Sequence, residues 1–289
     1  MAVAAAAAAE RCDRFGLGWR PALAAGILAH LDRIDLIEVI AEDYLGAPRG
    51  NLRALQTLAA QVSIVLHGVS LGLASTVPVE GRRLDRIARL IEATSAESWS
   101  EHLAFVRGGA FEIGHLAAPP RSEASIEGAC RNLERAAEII GCPPLVENIA
   151  TLVEPPASRL DEAEWIVRIV CGAGVGLLLD LHNLYANAIN FGDDPRALLR
   201  RLPLERVNAV HLSGGRWIDG PNGARRLLDD HLHDIPVEVF ALLSELGRLA
   251  PQPLTIIIER DGRFPPIPHL LEQLDIARAA LTAGREAVA

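Results

Sequence analysis

Seven short β-branched or leucine-rich runs, with an eighth strand plausible at Phe15–Arg20, alternate along the chain with stretches of helical periodicity. The runs are Leu36–Glu42, Val62–His67, Trp99–Ala104, Leu145–Asn148, Val175–Asp180, Val207–Leu212 and Leu254–Glu259. Most are apolar at consecutive positions, the pattern of parallel strands covered on both faces. Such strands alternating with amphipathic helices leave two architectures, a doubly wound sheet or a closed barrel. Eight repeats in 289 residues favour the (β/α)8 TIM barrel.

The intervening stretches carry their own signals. Arg82–Ala96 places Leu84, Ile87, Leu90 and Ile91 on one face, and Ser125–Ile140 and Asp161–Cys171 repeat the pattern. Pro21 opens a helix, and Asp161 is an N-cap. The run Asp161–Glu164 is therefore a solvated helix start. Residues 216–226 are polar and glycine-containing, and are expected to form a mobile loop above the barrel mouth. No linker rich in Gly, Ser or Pro interrupts the pattern, so residues 15–289 are expected to form one domain behind a tail at 1–14. That tail is alanine-rich and lacks the basic start of a signal peptide.

Composition narrows the function classes. There are 37 acidic residues against 28 basic ones, for a net charge of −9, which disfavours a nucleic-acid partner. The cysteines Cys12, Cys130, Cys142 and Cys171 are scattered without CxxC spacing, so neither a zinc ribbon nor a disulfide framework is indicated and a reduced cytoplasm is expected. No segment is uninterrupted enough to predict a membrane span.

The residues on which the apolar runs stop carry the chemistry. The runs end at or next to His67, His102, Glu147, Asp180, His211 and Glu259. Asp180 is followed by His182 and Asn183, Glu259 by Asp261, and Asp229-Asp230-His231-Leu232-His233 lies before the last run. A barrel delivers all its strand C-termini to one face, where catalysis sits, so these groups should converge. Imidazole and carboxylate suit zinc, iron or manganese, and carboxylates buried together without a cation repel one another. A lone histidine at a strand end is more often structural; six such ends point to a joint site. Glu147 and Glu259 could instead serve as a glycosidase acid and nucleophile, but the intervening Asp180 and His211 favour metal. Gly16-Leu17-Gly18 lacks the remaining residues of a nucleotide loop and reads as a close backbone approach. His30, His115 and His269 lie away from the strand ends and are assigned to surface or packing.

At this level of detail the chain resembles the DUF692 family, multinuclear non-haem iron-dependent oxidative enzymes that include the methanobactin-biosynthesis oxidase. The matching stretches are GLGWR at 16–20, EVIAEDYLG at 38–46, LHGVSLGL at 66–73 and SEHLA at 100–104. They continue through Glu147-Asn148, GLLLDLHNLY at 176–185, VHLSG at 210–214, HDIPV at 233–237 and IERD at 258–261. The resemblance implies a xylose-isomerase-like barrel, related in metal arrangement to endonuclease IV. It implies one ion held by His67, His102 and Glu147, and a second by Glu147, Asp180, His211 and Glu259, with Glu147 bridging. A third would draw on Asn183, His231 and His233. The chain departs from the family pattern at His182, Phe191 and Gly215, where Asn, His and a second His are common. Where many members have Asp-x-His, it reads His231-x-His233. The third site is therefore expected to be weaker or differently ligated.

The function so implied is an oxidase that uses two or three iron ions and O2 to modify a ribosomally made precursor peptide, often at cysteine. A partner protein presenting the leader peptide is expected with it. The competing readings are a metal-dependent sugar isomerase or epimerase, a zinc-dependent phosphodiesterase of the endonuclease IV type, and a non-catalytic metal-binding module.

Overall fold

The computed structural model describes residues 12–108, 111–220 and 223–288; the alanine-rich Met1–Ala9 lies outside them. Twelve strands occur among the described residues: β1 Arg14–Gly18, β2 Leu36–Ile40, β3 Ser63–Gly68, β4 Trp99–His102, β5 Phe105–Gly108 and β6 Phe111–Ala117, then β7 Leu145–Glu147, β8 Gly176–Asp180, β9 Val207–Leu212, β10 Gly215–Asp219, β11 Arg225–Asp229 and β12 Thr255–Ile258. Eight of them close a parallel barrel in the order β1-β12-β9-β8-β7-β4-β3-β2. These eight coincide with the seven apolar runs and the eighth strand at Phe15–Arg20, and the fold is the TIM barrel expected of them.

Period-two alternation divides each barrel strand between two environments. Leu17, Ile37, Val39, Ile64, Leu66, Leu177, Leu179, Val210, Leu212, Ile256 and Ile258 belong to the main apolar core with the helices. Leu36, Val65 and Ile257 form a small separate cluster. Two residues further along the same strands, on the same face, come Glu38, His67 and Glu259. The barrel interior is thus apolar at its base and polar one layer above, which is why strand ends rather than strand middles carry the chemistry. Gly16 makes the close approach its sequence suggested: a Cβ there would collide with the carbonyl oxygen of Leu36 on the adjoining β2.

The helices follow their signals closely. Gly81–Thr94 buries Leu84, Ile87 and Leu90. Glu123–Ile140 starts at Ser122, which forms a capping box with Ser125. Glu162–Ala173 starts at Asp161, whose Oδ1 accepts from the Glu164 amide at 3.0 Å. The charged run there is only partly solvated, however, because Glu162 turns inward to Asn187 and Arg121.

Two hairpins stand outside the barrel. β10 and β11 pair antiparallel across the stretch expected to be a mobile loop, whose residues 221 and 222 lie outside the described ones. Asn190 ties the hairpin down, its side chain donating to the Leu227 carbonyl at 2.9 Å and accepting from the Leu227 amide at 2.7 Å. β5 and β6 form the second hairpin, which follows β4. Arg107 anchors it through the Ser70 and Leu71 carbonyls.

Candidate metal centre

Backbone register sets the centre. His102 on β4 pairs with Glu147 on β7, and Asp180 on β8 with His211 on β9. His67 on β3 pairs with Ser100 on β4, so its Nδ1 lies 2.8 Å from the Ser100 hydroxyl. Glu259 follows β12, its amide donating to the Leu212 carbonyl at 3.0 Å. All six residues are buried, none more than 8% exposed.

Within this layer two groups bring ligand atoms within 4.8 Å of one another: His67, His102 and Glu147, and Glu147, Asp180, His211 and Glu259. Glu147 belongs to both. Its Oε2 lies 3.4 Å from His67 Nε2 and 3.3 Å from His102 Nε2, and its Oε1 lies 3.2 Å from His211 Nδ1. Glu259 Oε2 is 3.0 Å from the same His211 nitrogen. The His67 and His102 rings meet edge-on at 4.6 Å.

The hydrogen bonds around these atoms test whether a cation fits. His67 and His102 each spend Nδ1 on an outward partner, Ser100 Oγ at 2.8 Å and the Gly68 carbonyl at 3.3 Å, and turn Nε2 inward. Asp180 Oδ1 caps the helix Leu181–Phe191 by accepting from the Asn183 amide at 2.7 Å. Its Oδ2 is buried without a partner, and so is Glu147 Oε2. Buried oxygens are rarely left so, and inward-turned imidazoles beside them make the donor set of an N/O-ligated ion. The residues fit such an ion.

The electrostatics agree. Burial penalises the His102 cation, but Glu147 and Glu101 outweigh it and push its pKa up to about 9. His211 is likewise raised despite burial, by Glu259, Glu38 and Glu147. Asp180 is pushed well above the usual carboxylate range, by burial first and then by Asp229 and Glu147. A cation bound among these groups would compete with their protons.

The residues expected of a third ion separate. His231 adopts a left-handed backbone conformation, φ 53°. Its Nε2 lies 2.9 Å from Asp229 Oδ2, and its Nδ1 3.3 Å from Asp261 Oδ2 and 3.5 Å from Glu259 Oε2. Asn183 donates to the Asn148 carbonyl at 3.0 Å and keeps a buried Oδ1 without a partner. His233 turns elsewhere, to Asp230 Oδ1 at 2.9 Å and to Arg263. Asp229 and His231, also in Asp-x-His spacing and two residues before the His231-x-His233 reading, are the pair that stands together; the string Asp229–His233 permits either register. His182, fully buried, holds Asp229 Oδ1 at 2.8 Å through Nδ1. Gly215 makes room for it, since a Cβ there would strike the His182 ring. Phe191 stacks under Arg226.

Two further buried residues, Glu38 and Glu101, and the half-buried Glu42 join the layer. Glu38 on β2 reaches His211, Glu101 accepts from the Leu71 and His102 amides, and Glu42 accepts from Val69 and Ser70. Arg20 holds Asp261 through two nitrogens and lies 3.8 Å from Glu259. Of the histidines set aside, His30 bonds the Gly26 carbonyl, His115 lies exposed on β6, and His269 pairs with Asp234.

The family described as "RiPP precursor modification enzyme MbnB/TglH/ChrH" matches residues 14–282. The chain belongs to that family. Among its relatives is a UPF0276 protein of Bordetella bronchiseptica, 35% identical over 273 residues, covering 94% of this chain and 93% of that protein. A UPF0276 protein of Caulobacter vibrioides is 31% identical over 94% of this chain and 96% of its own length. A third, from Streptomyces avermitilis, is 35% identical over 92% of this chain, which spans only 54% of that longer protein. Solved structures similar to this one include a xylose isomerase domain protein of Salmonella typhimurium, TM-score 0.62 at 13% identity, covering 93% of this chain and 97% of that one. The D-psicose 3-epimerase of Clostridium cellulolyticum gives 0.59 at 11%, covering 95% and 99%. At these identities the likeness is one of fold, the xylose-isomerase-like barrel. No described helix is long and apolar enough to cross a membrane.

Proposed function

We propose that this family member is a multinuclear iron-dependent oxidase that uses O2 to modify a ribosomally synthesised precursor peptide at cysteine. The observation that carries the reading is the sharing of Glu147 by two ion-sized groups, one with three ligands and one with four. His67, His102 and Glu147 would hold one iron, and Glu147, Asp180, His211 and Glu259 a second. Asn183, Asp229 and His231 would be the residues available to a third. Bound there, iron supplies redox chemistry and open coordination positions for a thiolate and O2.

The chain's own residues do the rest. Ser100 and Gly68 fix the two histidine rings so that Nε2 points inward. Asn148 locks the end of β8 by bonding both the amide and the carbonyl of Asp180, which fixes the direction of its carboxylate. Burial keeps bulk water from the layer. A peptide is the expected substrate because an extended chain can reach the end of a barrel where a folded domain would be stopped by the loops. A separate protein presenting the leader peptide and a cytoplasmic setting belong to the same reading.

The test is an aerobic incubation of iron-loaded protein with the precursor peptide encoded beside its gene and any partner protein, read by mass spectrometry. The expected result is a mass change that requires both iron and O2 and disappears in His102→Ala. An unmodified peptide, together with anaerobic isomerisation of a sugar, would transfer the function to the isomerase class.

A further inference from the structure

His211 is oriented oppositely to the other two imidazoles of the layer. His67 and His102 spend Nδ1 on outward partners and turn Nε2 toward Glu147. His211 turns Nδ1 toward Glu147 and Glu259, at 3.2 and 3.0 Å, and its Nε2 lies 2.9 Å from Glu38 Oε2. Glu38 stands on β2, separated from β9 around the wall by β1 and β12, so its side chain crosses the barrel interior to reach the ring. Both residues are at most 1% exposed. His67 Nδ1 meets a neutral hydroxyl, and His102 Nδ1 a backbone carbonyl at 3.3 Å with Glu101 Oε1 beside it at 3.6 Å. The partner of His211 Nε2 at hydrogen-bond distance is a carboxylate, whose second oxygen is buried without a partner.

We propose that Glu38 is a positioning residue of the centre, accepting the Nε2 proton of His211 and so making Nδ1 the nitrogen that faces the ion shared with Glu147, Asp180 and Glu259. The proposal rests on the reading of those residues as metal ligands. The physical argument is the division of labour within an imidazole: the nitrogen bonded to an outer acceptor keeps its proton, and the other offers its lone pair. A carboxylate acceptor also makes the ring a stronger donor than a hydroxyl or carbonyl would. The four-ligand ion should therefore depend on Glu38 and the three-ligand ion should not, although both share Glu147. Glu38 escapes notice in the sequence because β2 runs on past it in apolar residues. The alternation Leu36-x-Glu38, in step with Val65-x-His67 and Ile257-x-Glu259, is the signal that finds it.

Two measurements test this. In the first, full-length protein labelled with 15N-histidine is loaded with Zn2+ as a diamagnetic probe. Long-range 15N–1H correlation should show His211 bound through Nδ1 with Nε2 protonated, and His67 bound the other way round. Binding of His211 through Nε2 overturns the proposal without any variant having to fold. In the second, Fe2+ is titrated anaerobically into wild type, Glu38→Gln and Glu38→Ala, each checked for a cooperative thermal transition. Glu38→Ala should weaken one ion about 10- to 100-fold while the other keeps its affinity. Glu38→Gln, whose amide oxygen can still accept the proton, should recover part of the loss. Wild-type affinity for both ions in folded Glu38→Ala overturns the positioning role and leaves the metal reading standing. A wild type that takes up neither Zn2+ nor Fe2+ overturns both.

Discussion

Glu147 concentrates the design of the centre in one side chain. One of its oxygens faces Nε2 of two histidines and the other lies against Nδ1 of a third, all within 3.4 Å. Burial would raise its pKa, but His102, His211 and His67 together hold it below the ordinary glutamate range. Replacing one oxygen by an amide group should therefore disturb both ion-sized groups at once. Glu147→Gln is expected to lower bound iron by at least one ion per chain and to weaken the remainder, measured by elemental analysis after anaerobic loading. A full complement in the variant would end the bridging role. Most of the candidate ligands were legible as the polar stops of apolar runs. Asp229 and Glu38 were not, for different reasons. The first sits in a charged string whose register only the left-handed turn at His231 decides, and the second lies inside an apolar run rather than at its end.

At the scale of elements, what could be read tracked burial. The eight barrel strands announce themselves because both their faces are covered. The β5–β6 and β10–β11 hairpins do not, because each pairs only with itself and presents polar or exposed residues, Phe111 and Trp217 among them. The helix Glu162–Ala173 shows the same boundary within a single turn. Asp161 caps and Glu164 stays in water, while Glu162 is largely covered by Asn187 and Arg121 and its pKa is pushed up to about 7, chiefly by desolvation. A carboxyl raised on folding stabilises the fold below its ordinary value near 4.5 and loses that contribution as pH climbs through about 7. Glu162→Gln removes the penalty of charging. Urea unfolding at pH 5 and pH 8 should show the variant gaining on wild type by about 1–3 kcal/mol at the higher pH. A gap that stays constant, or that favours wild type at pH 8, would contradict the burial argument.

For the whole molecule, the centre is a load on stability that a bound ion would relieve. Glu38, Glu101, Glu147, Asp180 and Glu259 lie in one buried layer, faced by His67, His102 and His211, with His231 and Arg20 beside Glu259. A ligand that binds only the folded chain, present at about 1,000 times its dissociation constant, adds about 4 kcal/mol. In a chain of this size that corresponds to a rise in Tm of roughly 8 °C. Anaerobic addition of Fe2+ should produce a shift of that order, and a chelator should reverse it. A Tm indifferent to Fe2+, Mn2+ and Zn2+ alike would remove the metal from the account.

The shared position of Glu147 also bears on inheritance. Mutations at His67 or His102 fall on one group, and mutations at Asp180, His211 or Glu259 on the other. A lineage can therefore retune or abandon half of the centre while the remaining half is still under selection. Position 147 offers no such intermediate: a change there is tested against both halves in the same generation. If both groups hold ions, divergence in this barrel would proceed around that carboxylate, one group at a time, and be held at it.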